Sequence, residues 1–428
     1  MPATSLSTLP IGRAVRRFLD TESAGGILLV VATLAAFVWA NVPGSHAYDV
    51  FWSTRLTVGI GGHVVSMDLK GWVDDGLFTV FFLTVGLELK RELVVGELRD
   101  PRTAVLPILA AAGGMVGSAL VYFAFTAGTA AAHGWGIPMA TDLALALGVL
   151  SLLGDRVNSS VKLFVLALAV ADDLGSIVVL ALFYERGFSV VALLVAIGLV
   201  GVGIGLRAIR VGWVPLYILV GLGMWLALYK AGISPTLAGV IMGLLAPTRA
   251  RLSGDEIERR ADELADVSSA GAVLSTIRIA RRSTPTAERL ELVLHPWSSF
   301  FAVPLFAFAN AGIPLGRGTL GHPQASRVFL AVLAAKLVGK FVGVVAVTLL
   351  ARAIGIGRLP EGMDRRDVLG IGVLTGVGLT VSFLVANLAF VDVDLENAAK
   401  LAVLGAAVIT GAAAAAILYR PARAEPSR

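Results

Sequence analysis

VKLFVLALAVADDLGSIVVLALF, residues 161–183, is apolar almost throughout, yet Asp172 and Asp173 stand in its middle. About 20 consecutive apolar residues suffice to cross a bilayer core as a helix, and this stretch is long enough. An ionised Asp at the centre of such a helix costs about 2.5–3.5 kcal/mol on insertion scales. Charges kept at that depth usually face a bundle interior or a water path and serve function. The segment therefore predicts a membrane-spanning helix that carries an acidic pair for a purpose.

The rest of the chain repeats the apolar pattern with few charges. Of 428 residues, 57% are hydrophobic and 15% charged, against roughly 25% charged in soluble proteins; mean hydropathy is +0.83. Apolar runs predict twelve spans, at 24–41, 76–89, 103–128, 137–153, 161–183, 189–206, 213–229, 232–246, 296–313, 328–351, 367–390 and 397–419. The fold class expected is an all-α membrane protein, with residues 1–428 forming one integral transporter domain. The 48 glycines suit close helix packing in lipid.

Lys and Arg orient the spans. With the N-terminus in the cytoplasm, inside segments hold 26 of these residues and outside segments seven; Lys336 and Lys340 lie within a span, which accounts for all 35. Both termini are then cytoplasmic, with an N-terminal segment 1–23, a long charged loop 247–295 and a tail 420–428. The loop reads as one or two amphipathic helices joining two halves of the protein. Arg13, Arg16 and Arg17 precede the first span without a small-residue cleavage site, so that span is read as retained.

The same bias accounts for the net charge of +5, and no nucleic-acid partner is expected; the lipid bilayer is. The absence of Cys excludes disulfides and thiol-bound metals. GIGG at 59–62 lacks the Lys-Ser/Thr ending of a phosphate loop. The Asp pair also lacks the DDxxD pattern of a Mg²⁺-dependent prenyltransferase, and GxGD and YD protease contexts are missing. An enzyme is not expected. A sodium-coupled organic-anion symporter is the nearest transport alternative.

Asp142, Lys336 and Lys340 also lie inside predicted spans. At about 1.5 Å per residue, Asp172, Asp173 and Lys340 all fall roughly 17–18 Å into their helices, near the middle of a core about 30 Å thick. They can meet. Neighbours on a helix point about 100° apart, so one Asp can pair with a lysine while the other faces a cavity. A salt bridge that only fixes packing is the plainer alternative, and Lys336 reads as a snorkelling or packing residue.

Asp142 is too shallow on a regular helix from Ile137. Unwound backbone after Pro138 would carry it deeper, since extended chain rises about 3.3 Å per residue. Span 11 offers a counterpart with Gly370, Gly372, Gly376 and Gly378. Two interrupted spans in corresponding positions of two halves point to a transporter site. Here they are the middle members of an inverted repeat, spans 3–5 and 10–12.

The segments FFLTVGLELKREL (81–93), IPMATDLALALGVL (137–150), ALAVADDLGSIVV (167–179), TLAGVIMG (236–243), LHPW (294–297), PLFAFANAG (304–312) and GVGLTVSFLVANLAF (376–390) resemble the NhaA family of bacterial Na⁺/H⁺ antiporters. The likeness runs in order over roughly residues 20–420, and that family is a known example of inverted-repeat transporters. It implies crossed, interrupted spans 4 and 11, with Thr141 and Asp142 in the unwound part of span 4. It implies that Asp173 is the principal cation carboxylate, Asp172 its partner, and Lys340 the ammonium that pairs with Asp172 when no cation is bound. Asp75 and Glu88 match acidic residues on the cation route, and Glu291 one linked to pH response. Two departures, Ser234 and Leu292, stand where the family often has His, and they bear on the pH of activation.

The resemblance implies electrogenic exchange of Na⁺ or Li⁺ for H⁺ across the inner membrane, no cofactor beyond the transported ions, and a homodimer. The chemistry follows from burial. A free Asp titrates near 3.9, too low for exchange near neutrality. Burial and adjacent like charge both make a carboxylate hold its proton more tightly, and an Asp pair then titrates as a coupled unit.

Overall fold

The computed structural model describes residues 23–43, 46–60, 63–96, 99–184, 189–209, 213–248, 285–316, 320–357 and 359–420. Nearly all of the N-terminal segment 1–23, most of the loop 247–295 and all but the first residue of the tail 420–428 lie outside them.

The chain is mainly helical. In order come α1 (Ser23–Ala40), α2 (Ala47–Trp52), a hairpin of β1 (Arg55–Ile60) and β2 (His63–Asp68), and a π-helical segment Trp72–Leu77 that leads into α3 (Phe78–Val94). Next are α4 (Pro101–Thr126), a 3₁₀ segment Ala130–Gly136, α5 (Leu143–Leu153), α6 (Ser159–Phe183), α7 (Val190–Ala208), α8 (Val214–Ala231) and α9 (Leu237–Leu245). The last third holds α10 (Thr286–Trp297), a π turn Ser298–Ala302, α11 (Val303–Asn310), α12 (Pro323–Ala334), a π turn Ala335–Lys340, α13 (Phe341–Ala353), α14 (Arg365–Leu374), α15 (Thr380–Ala389) and α16 (Val393–Leu418).

Among the described residues, seven helices are long and apolar enough to cross a membrane: 103–126, 160–183, 190–208, 214–231, 286–310, 323–353 and 393–418. Shorter apolar helices occupy 24–40, 143–153 and 380–389. The last two flank the interruptions expected in spans 4 and 11. This is a multi-pass helical membrane protein. The hairpin is the element that an all-α reading lacks: β1 and β2 pair antiparallel from Arg55–Asp68 to Ile60–His63. Alternating exposed Leu56, Val58 and Val64 in a run of only six residues are too brief to register beside spans of twenty.

Local chemistry places the helix ends. Pro215 in the first turn of α8 needs no N–H partner, and Gly232 closes that helix with φ 78°, a left-handed turn that favours glycine. Asn158 caps α6 through the Ser160 N–H, and Asp392 caps α16 through Asp394. Asp364 and Asp367 form a reciprocal capping box at α14.

The described chain forms two compact units, one drawn from 1–77, 100–186 and 299–428, the other from 78–99 and 187–298. The first has a core of Leu106, Leu150, Phe164, Leu168, Val344, Ile371 and Leu374. Within it, α4 lies against the π turn and α13. A Cβ at Gly117, Gly339 or Gly343 would strike a carbonyl of the facing backbone, which is the small-residue contact that lets membrane helices touch. In the second unit α3 packs on α9 and α10.

Candidate ion site

Pro138 cannot extend a helix hydrogen-bond ladder, and the backbone from Ala140 to Asp142 is non-helical, with Asp142 extended, before α5 begins at Leu143. On the other side, α14 ends at Leu374 and α15 begins at Thr380, with Val377–Leu379 outside any helix between them. The two interruptions touch. Asp142 N–H donates to Val377 O at 2.8 Å, and Thr141 Oγ1 donates to Thr375 O at 3.0 Å. Gly378 permits the approach, because a Cβ there would collide with the Ala140 carbonyl and crowd Lys336 Nζ.

Unwound backbone in lipid must find partners inside the protein, and side chains supply them. Lys340 Nζ donates to Met139 O, Lys336 Nζ to Ala140 O at 3.1 Å, and Thr141 N–H to Asp172 Oδ2 at 2.8 Å. Asp142 caps two helices at once. Its Oδ1 accepts from Leu145 N–H at 3.1 Å at the start of α5, and its Oδ2 from Thr380 Oγ1 at 3.0 Å and Thr380 N–H at 3.4 Å at the start of α15. Helix N-termini carry partial positive charge, so one carboxylate balances both.

Asp172, Lys336 and Lys340 are each 0% exposed. Lys340 Nζ lies 2.7 Å from Asp172 Oδ2, a buried ion pair. Asp172 Oδ1 accepts no hydrogen bond among the described residues. Asp173, the next residue, is half-buried. The three carboxylates and two ammonium groups here leave one net negative charge when all are ionised, which one monovalent cation neutralises.

The structure thus brings Thr141, Asp142, Asp172 and Lys340 into one cluster with Asp173 adjacent. Asp75 is half-buried in the π segment 72–77. Glu88 and Glu291 belong to the second unit, where Arg91 pairs with Glu291 at 2.6 Å and with Glu92 at 3.2 Å. Of the two positions that depart from the family, Ser234 is buried with its Oγ 2.7 Å from Thr236 Oγ1, and Leu292 is exposed.

Sequence reasoning passed over two features. Lys336 packs rather than snorkels, since its side chain is fully buried. A second buried network also exists. Asp74 accepts from Asn310 Nδ2 at 2.5 Å and Asn387 Nδ2 at 2.8 Å, and Lys400 reaches Asn310 Oδ1 at 3.3 Å and Glu396 at 2.6 Å. Lys70 completes it at 3.0 Å from Glu396. Two Asn within otherwise apolar family segments were the available signal.

The chain is similar to known proteins along nearly its whole length. The family described as Na+/H+ antiporter 1 matches residues 16–418. The chain is 41% identical over 409 residues to Na(+)/H(+) antiporter NhaA 2 of Pseudomonas putida, covering 92% of this chain and 90% of the relative. It is 39% identical over 440 residues to NhaA 2 of Sorangium cellulosum, covering 99% and 94%. NhaA of Oleidesulfovibrio alaskensis is 41% identical over 415 residues, covering 92% and 91%. Among solved structures, the sodium proton antiporter MjNhaP1 from Methanocaldococcus jannaschii aligns with a TM-score of 0.50 over 92% of this chain and 91% of its own, at 15% identity, a likeness of fold alone. Matched along nearly its whole length, the chain belongs to the Na⁺/H⁺ antiporter 1 family, that of the NhaA proteins.

Proposed function

We propose that this protein is a secondary antiporter that exchanges Na⁺, or Li⁺, for H⁺ across the bacterial inner membrane, by competition of cation and protons for Asp173 and Asp172. The observation that carries the reading is the fully buried Asp172–Lys340 pair, clamped to unwound backbone with one Asp172 oxygen left unbonded. A hard cation prefers oxygen ligands. Asp173 is its first ligand, assisted by Asp172 and Thr141. When the cation leaves, protons take the same oxygens and Lys340 returns to Asp172.

The exchange requires that the site change sides only when its charge is compensated. With Asp172 and Asp173 ionised and no cation bound, the carboxylate pair is expensive to move through low dielectric; loaded with Na⁺ or protons, it is not. Asp142 stays with the interrupted backbone and balances the partial charges of its helix ends. Return of more than one H⁺ per Na⁺ makes the cycle electrogenic.

The full architecture we assign is twelve spans, with spans 3–5 and 10–12 as an inverted repeat and spans 4 and 11 as its crossed members. Residues 1–428 act as one transport unit with both termini, and the loop 247–295, in the cytoplasm. Asp75 and Glu88 line the cation route, Glu291 contributes to pH response, and two copies form a homodimer. No cofactor takes part.

Everted membrane vesicles with an acid-loaded lumen and a fluorescent pH probe test the reading. Addition of Na⁺ or Li⁺, but not K⁺, restores fluorescence in wild type, and Asp173→Asn removes the response. Normal Na⁺-driven recovery in that variant ends the proposal.

A further inference from the structure

We propose that Lys336 is a further proton-binding residue of the exchange cycle, alternating between ammonium and neutral amine, so that each turnover returns one proton beyond those of the aspartate site. This rests on the reading of Asp172 and Asp173 given above.

The two buried lysines differ in their company. Lys340 has the Asp172 carboxylate and the Met139 carbonyl. Lys336, one turn earlier in the same π turn, donates to the Ala140 carbonyl and enters no ion pair among the described residues. An ammonium carries three donors. At zero exposure two of them would lack acceptors, an unfavourable state for a charged group away from water. A neutral amine leaves only one donor unmet. The missing Cβ of Gly378 provides the space in which Nζ sits.

The groups that face Lys336 make its charge depend on the cargo. Its charged neighbours are Lys340 on its own helix, Asp172 from α6 and Asp142 from the interruption before α5. The other elements against the π turn present Gly117 and Ser118 of α4, Gly376 and Gly378 of the span 11 interruption and Thr410 of α16, none of which titrates. A cation at the Asp pair removes negative charge from this set and favours release of the Lys336 proton on the side where Na⁺ enters. Departure of the cation on the other side restores the negative charge, and the amine takes up a proton there. One proton is released and one bound per cycle, and no other co-reactant is needed.

The ratio of H⁺ to Na⁺ reads this directly. The full-length protein is reconstituted in liposomes with the membrane potential clamped at zero and a one-unit pH gradient imposed, and the Na⁺ gradient at which net flux vanishes is measured. Each exchanged proton raises that gradient about tenfold. Lys336→Met is expected to balance at a gradient about tenfold smaller than wild type. Lys336→Arg keeps a cation that cannot release its proton and should show the same reduced ratio.

An unchanged balance point in either active variant overturns the proposal and leaves Lys336 as a residue that only positions the Ala140 carbonyl, where substitution slows turnover without altering the ratio. Should neither variant insert, a wild-type ratio of one H⁺ per Na⁺ also overturns it, since the aspartate site alone accounts for that proton. Asp173→Asn separates the two readings. Exchange persisting there sinks the carboxylate site itself, while an inactive Asp173→Asn with an unaltered ratio in Lys336→Met sinks only the role of Lys336.

Discussion

Asp172 and Lys340 show how far a single buried charge depends on its partner. Removing one member of such a pair costs about 3–5 kcal/mol, because the other charge stays buried and unpaired. Lys340→Ala should therefore destabilise the protein by roughly that amount, and pairing it with Asp172→Ala should recover part of the loss. Thermal unfolding in detergent of both single variants and the double variant measures this coupling, and additive losses would show that the pair does not interact. The Asp pair was legible in the sequence because charge in the middle of an apolar run has a cost that is seldom borne without use. Lys336 was not, because the same residue type one turn away can snorkel. Only its zero exposure and the Ala140 contact show that it does not.

Among the elements, the interrupted helices and their caps carry the argument. Pro138 and the glycines of span 11 signalled broken helices, but the structure adds that Asp142 caps both α5 and α15. Gly378→Ala should destabilise the touching interruptions by about 1–3 kcal/mol through overpacking and lower exchange in vesicles; a fully active variant of unchanged stability would contradict the close approach described here. At the start of α14, the Asp367 N–H, with the Arg420 guanidinium behind it, holds the Asp364 carboxyl below the usual carboxylate range. Because the folded value is lowered, this cap stabilises the protein above the unfolded value and is lost as pH falls through the folded one. Asp364→Ala should cost about 1 kcal/mol at neutral pH and less in acid, where wild type and variant converge. Melting curves between pH 7 and about pH 3 test the convergence.

For the whole molecule, the distribution of Lys and Arg assigns sides that no packing contact can. A reporter that fluoresces only in the cytoplasm, fused after residue 428, should be bright, whereas a periplasm-dependent phosphatase at the same position should be silent. The reverse pattern would invert the topology and, with it, the sides from which Na⁺ and protons enter. The Asp74–Asn310–Asn387–Lys400 network ties residues more than 300 positions apart. Asp74→Ala takes one acceptor from each of the Asn310 and Asn387 amides inside the fold, at an expected loss of about 1–3 kcal/mol that thermal unfolding in detergent measures.

Hydropathy and charge, which each residue carries wherever it stands, determined that this chain crosses a membrane many times and that an acidic pair lies deep within it. Family likeness supplied the chemistry of exchange. Tertiary structure alone decided which carbonyl each lysine takes, which carboxylate oxygen stays unbonded and which helices Asp142 caps. A hydrogen bond is settled by distances of a few tenths of an ångström between segments remote in the chain, and neither periodicity nor composition holds that information.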